Sequence, residues 1–159
     1  MMQPQRSFWQ FAVSLYGFAG VQPLLLSWQD DHGLEVTLLL WALWLDLQGK
    51  PRDTQLWQQG VSSSAGGRER VERWRRWRRR CPRWLTLLRR WLLRRELQQE
   101  QRVIDSLQRL TPGAEIRPEA TEGLQLQNSE WLLRERGLQA GQPQLESLVQ
   151  HWLSVQIRS

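Results

Sequence analysis

Leu34-Glu35-Val36-Thr37-Leu38-Leu39-Leu40-Trp41-Ala42-Leu43-Trp44-Leu45-Asp46-Leu47 is the most apolar stretch of the chain. Read as a helix, it carries apolar residues on nearly every face. A helix hydrophobic all round is a central, buried one. Its length, with Glu35 and Asp46 inside it, is short of the roughly 20 apolar residues that span a bilayer. Gly49, Lys50 and Pro51 end it. Asp46 is the odd charge, because an acid near a helix C-terminus opposes the macrodipole. It is expected to pair with an Arg or to lie at the surface.

The flanking segments repeat the helical period. Phe8, Phe11, Ala12, Leu15 and Ala19 recur at i, i+3, i+4, i+7 and i+11, an amphipathic stripe. Gly17 and Gly20 suit its end, and Pro23 suits the first turn of a short helix reaching about Asp30. Beyond the central helix, Asp53 caps a short helix that stops at Gly60. Val61-Ser62-Ser63-Ser64-Ala65-Gly66-Gly67 reads as a flexible connection. Trp74, Trp77, Cys81, Trp84, Leu88 and Trp91 then follow a 3-4-3-4-3 spacing, the seam of a helix packed along its length. Pro82 predicts a kink or restart within it. A stripe continues to about Leu110, and residues 112–143 read as irregular apart from a short helix near Ser129 to Arg136, stopped by Gly137. Leu145, Leu148, Val149 and Trp152 mark a last amphipathic helix. The expected fold is all-α: a compact bundle of about five to seven helices with a central apolar helix and a kinked Arg/Trp-rich one. Residues 1–110 are expected to form the helical core, and 111–159 an irregular connection plus a C-terminal amphipathic helix packing on it.

With 159 residues the chain can bury a sizeable core without disulfides or a structural metal. One cysteine, Cys81, excludes an intramolecular disulfide, and with two His it leaves too few ligands for a Cys/His zinc site. Cys81 reads as a small core residue on the Trp seam; an activated thiolate beside Arg80 and Arg83 is the alternative. The net charge of +6 is unevenly placed. Residues 68–95 hold thirteen Arg against Glu69 and Glu72, a net of +11, which leaves the rest of the chain at −5. Such asymmetry points to an anionic partner, or to the protein's own acids as internal partners.

Two candidate sites emerge. The first is the Arg/Trp block. If the Trp seam points inward, Arg75, Arg76, Arg79, Arg83 and Arg90 project elsewhere in rows at i+4 and i+7 spacing, a partner-binding face. An acidic protein surface, nucleic acid and an anionic membrane surface would each use such residues. The second is Gln29-Asp30-Asp31-His32-Gly33-Leu34-Glu35, where carboxylates and an imidazole gather beside the apolar helix. These groups can ligate a divalent ion or do acid–base work. The plainer reading is a helix junction: an Asp as cap, Gly33 at positive φ, Glu35 favouring the helix dipole. No Gly-x-Ser-x-Gly, Gly-x-x-x-x-Gly-Lys, His-Glu-x-x-His or Gly-x-Gly-x-x-Gly occurs, and no cofactor is expected.

Phe8-Trp9-Gln10-Phe11-Ala12-Val13-Ser14-Leu15-Tyr16, then Gln29-Asp30-Asp31-His32-Gly33, then Leu38-Leu39-Leu40-Trp41-Ala42-Leu43-Trp44-Leu45 resembles an uncharacterised family of small proteobacterial proteins of about 160 residues. Its pattern is an aromatic-rich N-terminus, a Gln-Asp-x-x-Gly segment, an apolar Leu/Trp helix and a later Arg-rich stretch. The resemblance implies a bacterial protein and no activity. The amino terminus lacks a basic region followed by a continuous apolar one, so a cytoplasmic location is expected. The sequence favours a non-enzymatic interaction or adaptor protein that presents a basic helix face. Nucleic-acid binding through residues 68–95 is the alternative, and a small metal-dependent enzyme at Asp30 to Glu35 is the third reading.

Overall fold

A computed structural model of the chain describes residues 8–80, 86–110 and 126–158; the side chains of residues 74, 77–79, 86–97 and 157–158 also lie outside the description. Seven α-helices and no strand occur among the described residues. They are α1 (Phe8–Tyr16), α2 (Val21–His32), α3 (Val36–Leu47), α4 (Thr54–Arg80), α5 (Thr86–Leu110), α6 (Gln127–Glu135) and α7 (Gln142–Arg158), with a 3-10 turn at Gln139–Gly141 before α7. The all-α expectation holds. Among the described residues no single helix is long and apolar enough to cross a membrane.

The chain forms two compact units, Met1–Asp53 with Gly113–Ser159, and Thr54–Pro112. This division differs from the expected 1–110 core and 111–159 extension, because each unit has its own apolar seam. In the first, α3 is buried at every position but Thr37, as its all-round apolar pattern requires. α1, α2 and α6 lie against it. α1 meets α2 at 95° and contributes Phe8, Phe11, Ala12 and Leu15 of the expected stripe to the core, whereas its last member, Ala19, lies beyond α1 and is exposed. Trp44 sits among Phe8 and Phe11, with ring centroids 6.1 and 5.2 Å away. Phe11 also meets Trp152 of α7 edge-on at 5.4 Å, and the Trp152 indole N–H donates to Ser14 Oγ at 3.1 Å. Edge-on and tilted aromatic pairs of this kind stabilise beyond their buried area. α6 overlaps the short helix expected near Ser129 to Arg136, and the chain turns after it at Gly137, φ 70°.

The second unit holds the main correction. The expected helix stop at Gly60 and flexible connection over 61–67 are absent: α4 runs unbroken from Thr54 to Arg80. Gly60, Ser64 and Val71 are buried on one face, with half-buried Gly67 in the same row. This 4-3-4 spacing leads in phase into the position of Trp74. The seam therefore starts fourteen residues earlier than its Trp residues indicate. The residues that read as a loop are small because α5 comes close. A Cβ added at Gly67 would lie 2.6 Å from Val103 Cγ2. The serines sustain the helix by local bonds: Ser64 Oγ donates to the Gly60 carbonyl at 2.7 Å and accepts from Arg68 Nε at 3.0 Å. Arg68 also donates to the Val61 carbonyl at 2.9 Å. On α5, Val103, Ile104 and Leu107 are buried. The Gly67–Val103 contact and an Arg75–Glu100 ion pair set α4 and α5 antiparallel. Of the two expectations for the Arg/Trp-rich segment, a kink or a restart, the structure shows two separate helices, α4 and α5, paired as a hairpin. Pro82 and Cys81, where the break was expected, lie outside the described residues.

Adjacent glycines of α4 test this packing. Gly66 is exposed, and a Cβ there meets nothing within 4 Å. Gly66→Ala is expected to stabilise the protein by about 0.5–1 kcal/mol, the ordinary gain of Ala over Gly in a helix. Gly67→Ala adds an overpacking cost of about 1–3 kcal/mol against the stiff Val103 side chain and should destabilise. Equal effects of the two substitutions in urea denaturation would overturn the close α4–α5 approach.

Candidate functional site

The first sequence candidate falls on α4 and α5. Arg70, Arg73, Arg76 and Arg80 are exposed, and the last three recur at 3- and 4-residue spacing on the side away from the buried seam. Glu69 and Glu72 stand one turn before Arg73 and Arg76, the orientation in which Glu and Arg support each other on a helix. Arg80 has Arg76 at that position instead. Of the residues singled out by the sequence, Arg76 is exposed as expected. Arg75 is not a free member of the face. It is half-buried and donates to Glu100 of α5, so its charge is used within the hairpin. Arg83 and the side chains of Arg79 and Arg90 lie outside the described residues, as do the side chains of Trp74, Trp77, Trp84 and Trp91.

The second candidate is a helix junction in its backbone. Gln29, Asp30, Asp31 and His32 form the last turn of α2 rather than a loop. Gly33 closes the helix at φ 64°, with its N–H donating to the Gln29 carbonyl at 3.1 Å, while Leu34 N–H reaches the Trp28 carbonyl at 3.4 Å. Only glycine takes that left-handed conformation without strain. Glu35 occupies the N-cap position of α3 in an extended conformation, and its side chain makes no capping bond. Asp30, Asp31 and His32 are exposed, whereas Gln29 and Glu35 are half-buried. Among the described residues no group of three or more His, Cys, Asp and Glu is placed to hold a metal ion.

Sequence reasoning missed the most developed polar cluster. Asp46 neither pairs with an Arg nor lies at the surface; it is 7% exposed and caps α6 across the fold. Its Oδ1 accepts from Asn128 N at 2.8 Å and Asn128 Nδ2 at 2.8 Å. Its Oδ2 accepts from Ser129 N at 3.0 Å and Ser129 Oγ at 2.9 Å. Asn128 Nδ2 also reaches the Lys50 carbonyl at 3.2 Å, and Ser129 Oγ the Leu126 carbonyl at 3.1 Å. The positive end of α6 thus replaces the missing Arg, which reconciles the acid with its own helix dipole. Burial pushes the Asp46 carboxyl above the ordinary aspartate range, and the bonds from Ser129 and Asn128 pull it partly back. Asn128 and Ser129 are residue types that favour helix starts, a local signal. That an acid more than eighty residues earlier supplies the cap is not local information.

The cluster is small, enclosed and fully used in holding α6. It binds the fold together and leaves the basic face of α4 as the candidate for function. The chain matches no curated protein and no solved structure. Residues 7–107 match the model of a protein of unknown function, DUF2390, and the chain belongs to that family. The match covers α1 to α4 and most of α5; α6 and α7, which complete the first unit, lie beyond it.

Proposed function

We propose that this DUF2390 member is a non-enzymatic interaction protein whose α4–α5 unit presents a basic face to an anionic partner. One observation carries the reading: Arg73, Arg76 and Arg80 are exposed along one side of a helix whose opposite side is sealed by Gly60, Ser64 and Val71. A rigid helix holds their spacing, and like charges in successive turns repel by a few tenths of a kcal/mol per pair in the free protein. An anion bound across them relieves that repulsion. The absence of catalytic motifs from the sequence agrees with the same reading.

Replacing Arg76, Arg79, Arg83 and Arg90 together by Gln tests it. The fold is expected to stay intact or gain slightly in thermal stability, while retention on a heparin column falls to clearly lower salt. A charge-matched control replaces the exposed Arg102, Arg109, Arg134 and Arg136 by Gln. It removes the same net charge and should shift elution much less. Equal shifts from both sets would show a general charge effect and sink the proposal. A loss of several kcal/mol of stability in the first set would make those Arg internal partners of acids, as Arg75 is of Glu100.

A further inference from the structure

The outer face of α4 is not basic throughout. Glu69, Arg73, Arg76 and Arg80 follow a 4-3-4 spacing and so form one line along the helix. The buried seam of Gly60, Ser64 and Val71 runs along the opposite side. All four charged residues are exposed, and none makes a hydrogen bond or ion pair among the described residues. Glu72, also exposed, flanks the same line. Toward the helix start the line continues through Ser62 and Gly66, both exposed and uncharged. The line therefore changes sign once. It is acidic at Glu69 and Glu72, and then basic from Arg73 to Arg80, over about 10.5 Å at 1.5 Å per residue.

We infer that the anionic partner is a helical segment of another protein, lying antiparallel along this line with carboxylates opposite Arg80, Arg76 and Arg73 and a basic residue opposite Glu69. This rests on the reading of the α4 face as an anion-binding surface. Two helices side by side share one axial repeat, so carboxylates at i, i+4 and i+7 of the partner fall at the spacing of the three Arg. A duplex phosphate backbone and an anionic lipid surface are negative without interruption. Laid along the line, either would meet Glu69 about 6 Å beyond Arg73, with Glu72 between them, and like charges would repel there. A protein helix can change sign where α4 does. The antiparallel sense follows from the partner's own dipole. It puts the carboxylates in the partner's N-terminal turns and the basic residue near its C-terminus, where each is favoured. Exposed ion pairs are individually weak, so the line selects register and orientation more than it supplies affinity.

The experiment is a fluorescence-anisotropy titration of the full chain with labelled alanine-based helical peptides. The matched peptide carries Glu at i, i+4 and i+7 and Lys at i+11; a scattered peptide holds the same residues spread around the helix. A DNA duplex and phosphatidylglycerol vesicles are the other probes. The matched peptide is expected to bind about tenfold more tightly than the scattered one, as three exposed pairs provide. Arg76→Glu, a change at an exposed position, should abolish that preference and leave the thermal melt near the parent's. Replacing the peptide's i+4 Glu by Lys should then restore binding to Arg76→Glu. A preference for the matched peptide that Arg76→Glu leaves untouched overturns the inference, since the contacts would lie elsewhere. Equal affinity for the two peptides overturns it as well. If the duplex or the vesicles then lose affinity in Arg76→Glu, the anion-binding reading stands with another partner; if no probe does, both fall.

Discussion

Trp44→Ala is expected to lower the stability of the protein by about 3–5 kcal/mol. Trp44 is fully buried in α3 and holds two aromatic side chains of α1, Phe8 and Phe11, against the helix that the rest of the first unit packs around. Removing the indole leaves a cavity between two helices joined through α2, and partial collapse recovers only part of the lost contact. Domains of this size are stable by roughly 5–15 kcal/mol, so the variant should be largely unfolded under mild denaturant. The indole N–H is buried and makes no hydrogen bond among the described residues. Trp44→Phe therefore gives up volume but no polar partner, and should cost clearly less than Ala. Urea melts of Trp44→Ala that overlay the parent would refute the central position of α3.

The second large effect is expected at Asp46. Asp46→Ala leaves the backbone N–H groups of Asn128 and Ser129 and one Asn128 Nδ2 proton without an acceptor, while Ser129 Oγ keeps the Leu126 carbonyl, and should cost about 3 kcal/mol or more. Asp46→Asn separates charge from geometry. Its carbonyl can serve both Asn128 donors, but its amide cannot accept from Ser129 N–H, so about 1–3 kcal/mol is still lost. A protonated Asp46 has no such conflict. Its O–H can donate to Ser129 Oγ, which already donates to the Leu126 carbonyl, and the same oxygen can accept from Ser129 N–H.

That geometry agrees with the upward pKa shift caused by burial. The folded protein holds this proton more tightly than the unfolded chain does. Its contribution to stability is therefore fully present below the unfolded pKa, near 3.8, and is lost as pH rises through the higher folded value. The stability advantage of the parent over Asp46→Asn should then shrink as pH rises from about 3.8. Denaturation of both proteins across that range would show it. An advantage that grows with pH would mean that the four donors outweigh burial.

The amino-acid sequence alone determined the fold class and the central helix, because an apolar residue on every face of one segment leaves that segment only the interior. It likewise placed the α1 stripe, the short helix stopped at Gly137 and the location of the basic block, all carried by residues within a few turns of one another. Two matters depended on tertiary structure. Gly60 read as a helix stop and Ser64 and Gly67 as a loop because small residues favour turns in isolation; only the neighbouring α5, with Val103 against Gly67, makes smallness a packing requirement within a helix. Asp46 read as a charge in need of an Arg because helix order along the chain does not say which helix end will face it. The N–H groups of Asn128 and Ser129 supply that positive end from a distant segment. Local chemistry sets what a residue needs, and the fold decides which part of the chain provides it.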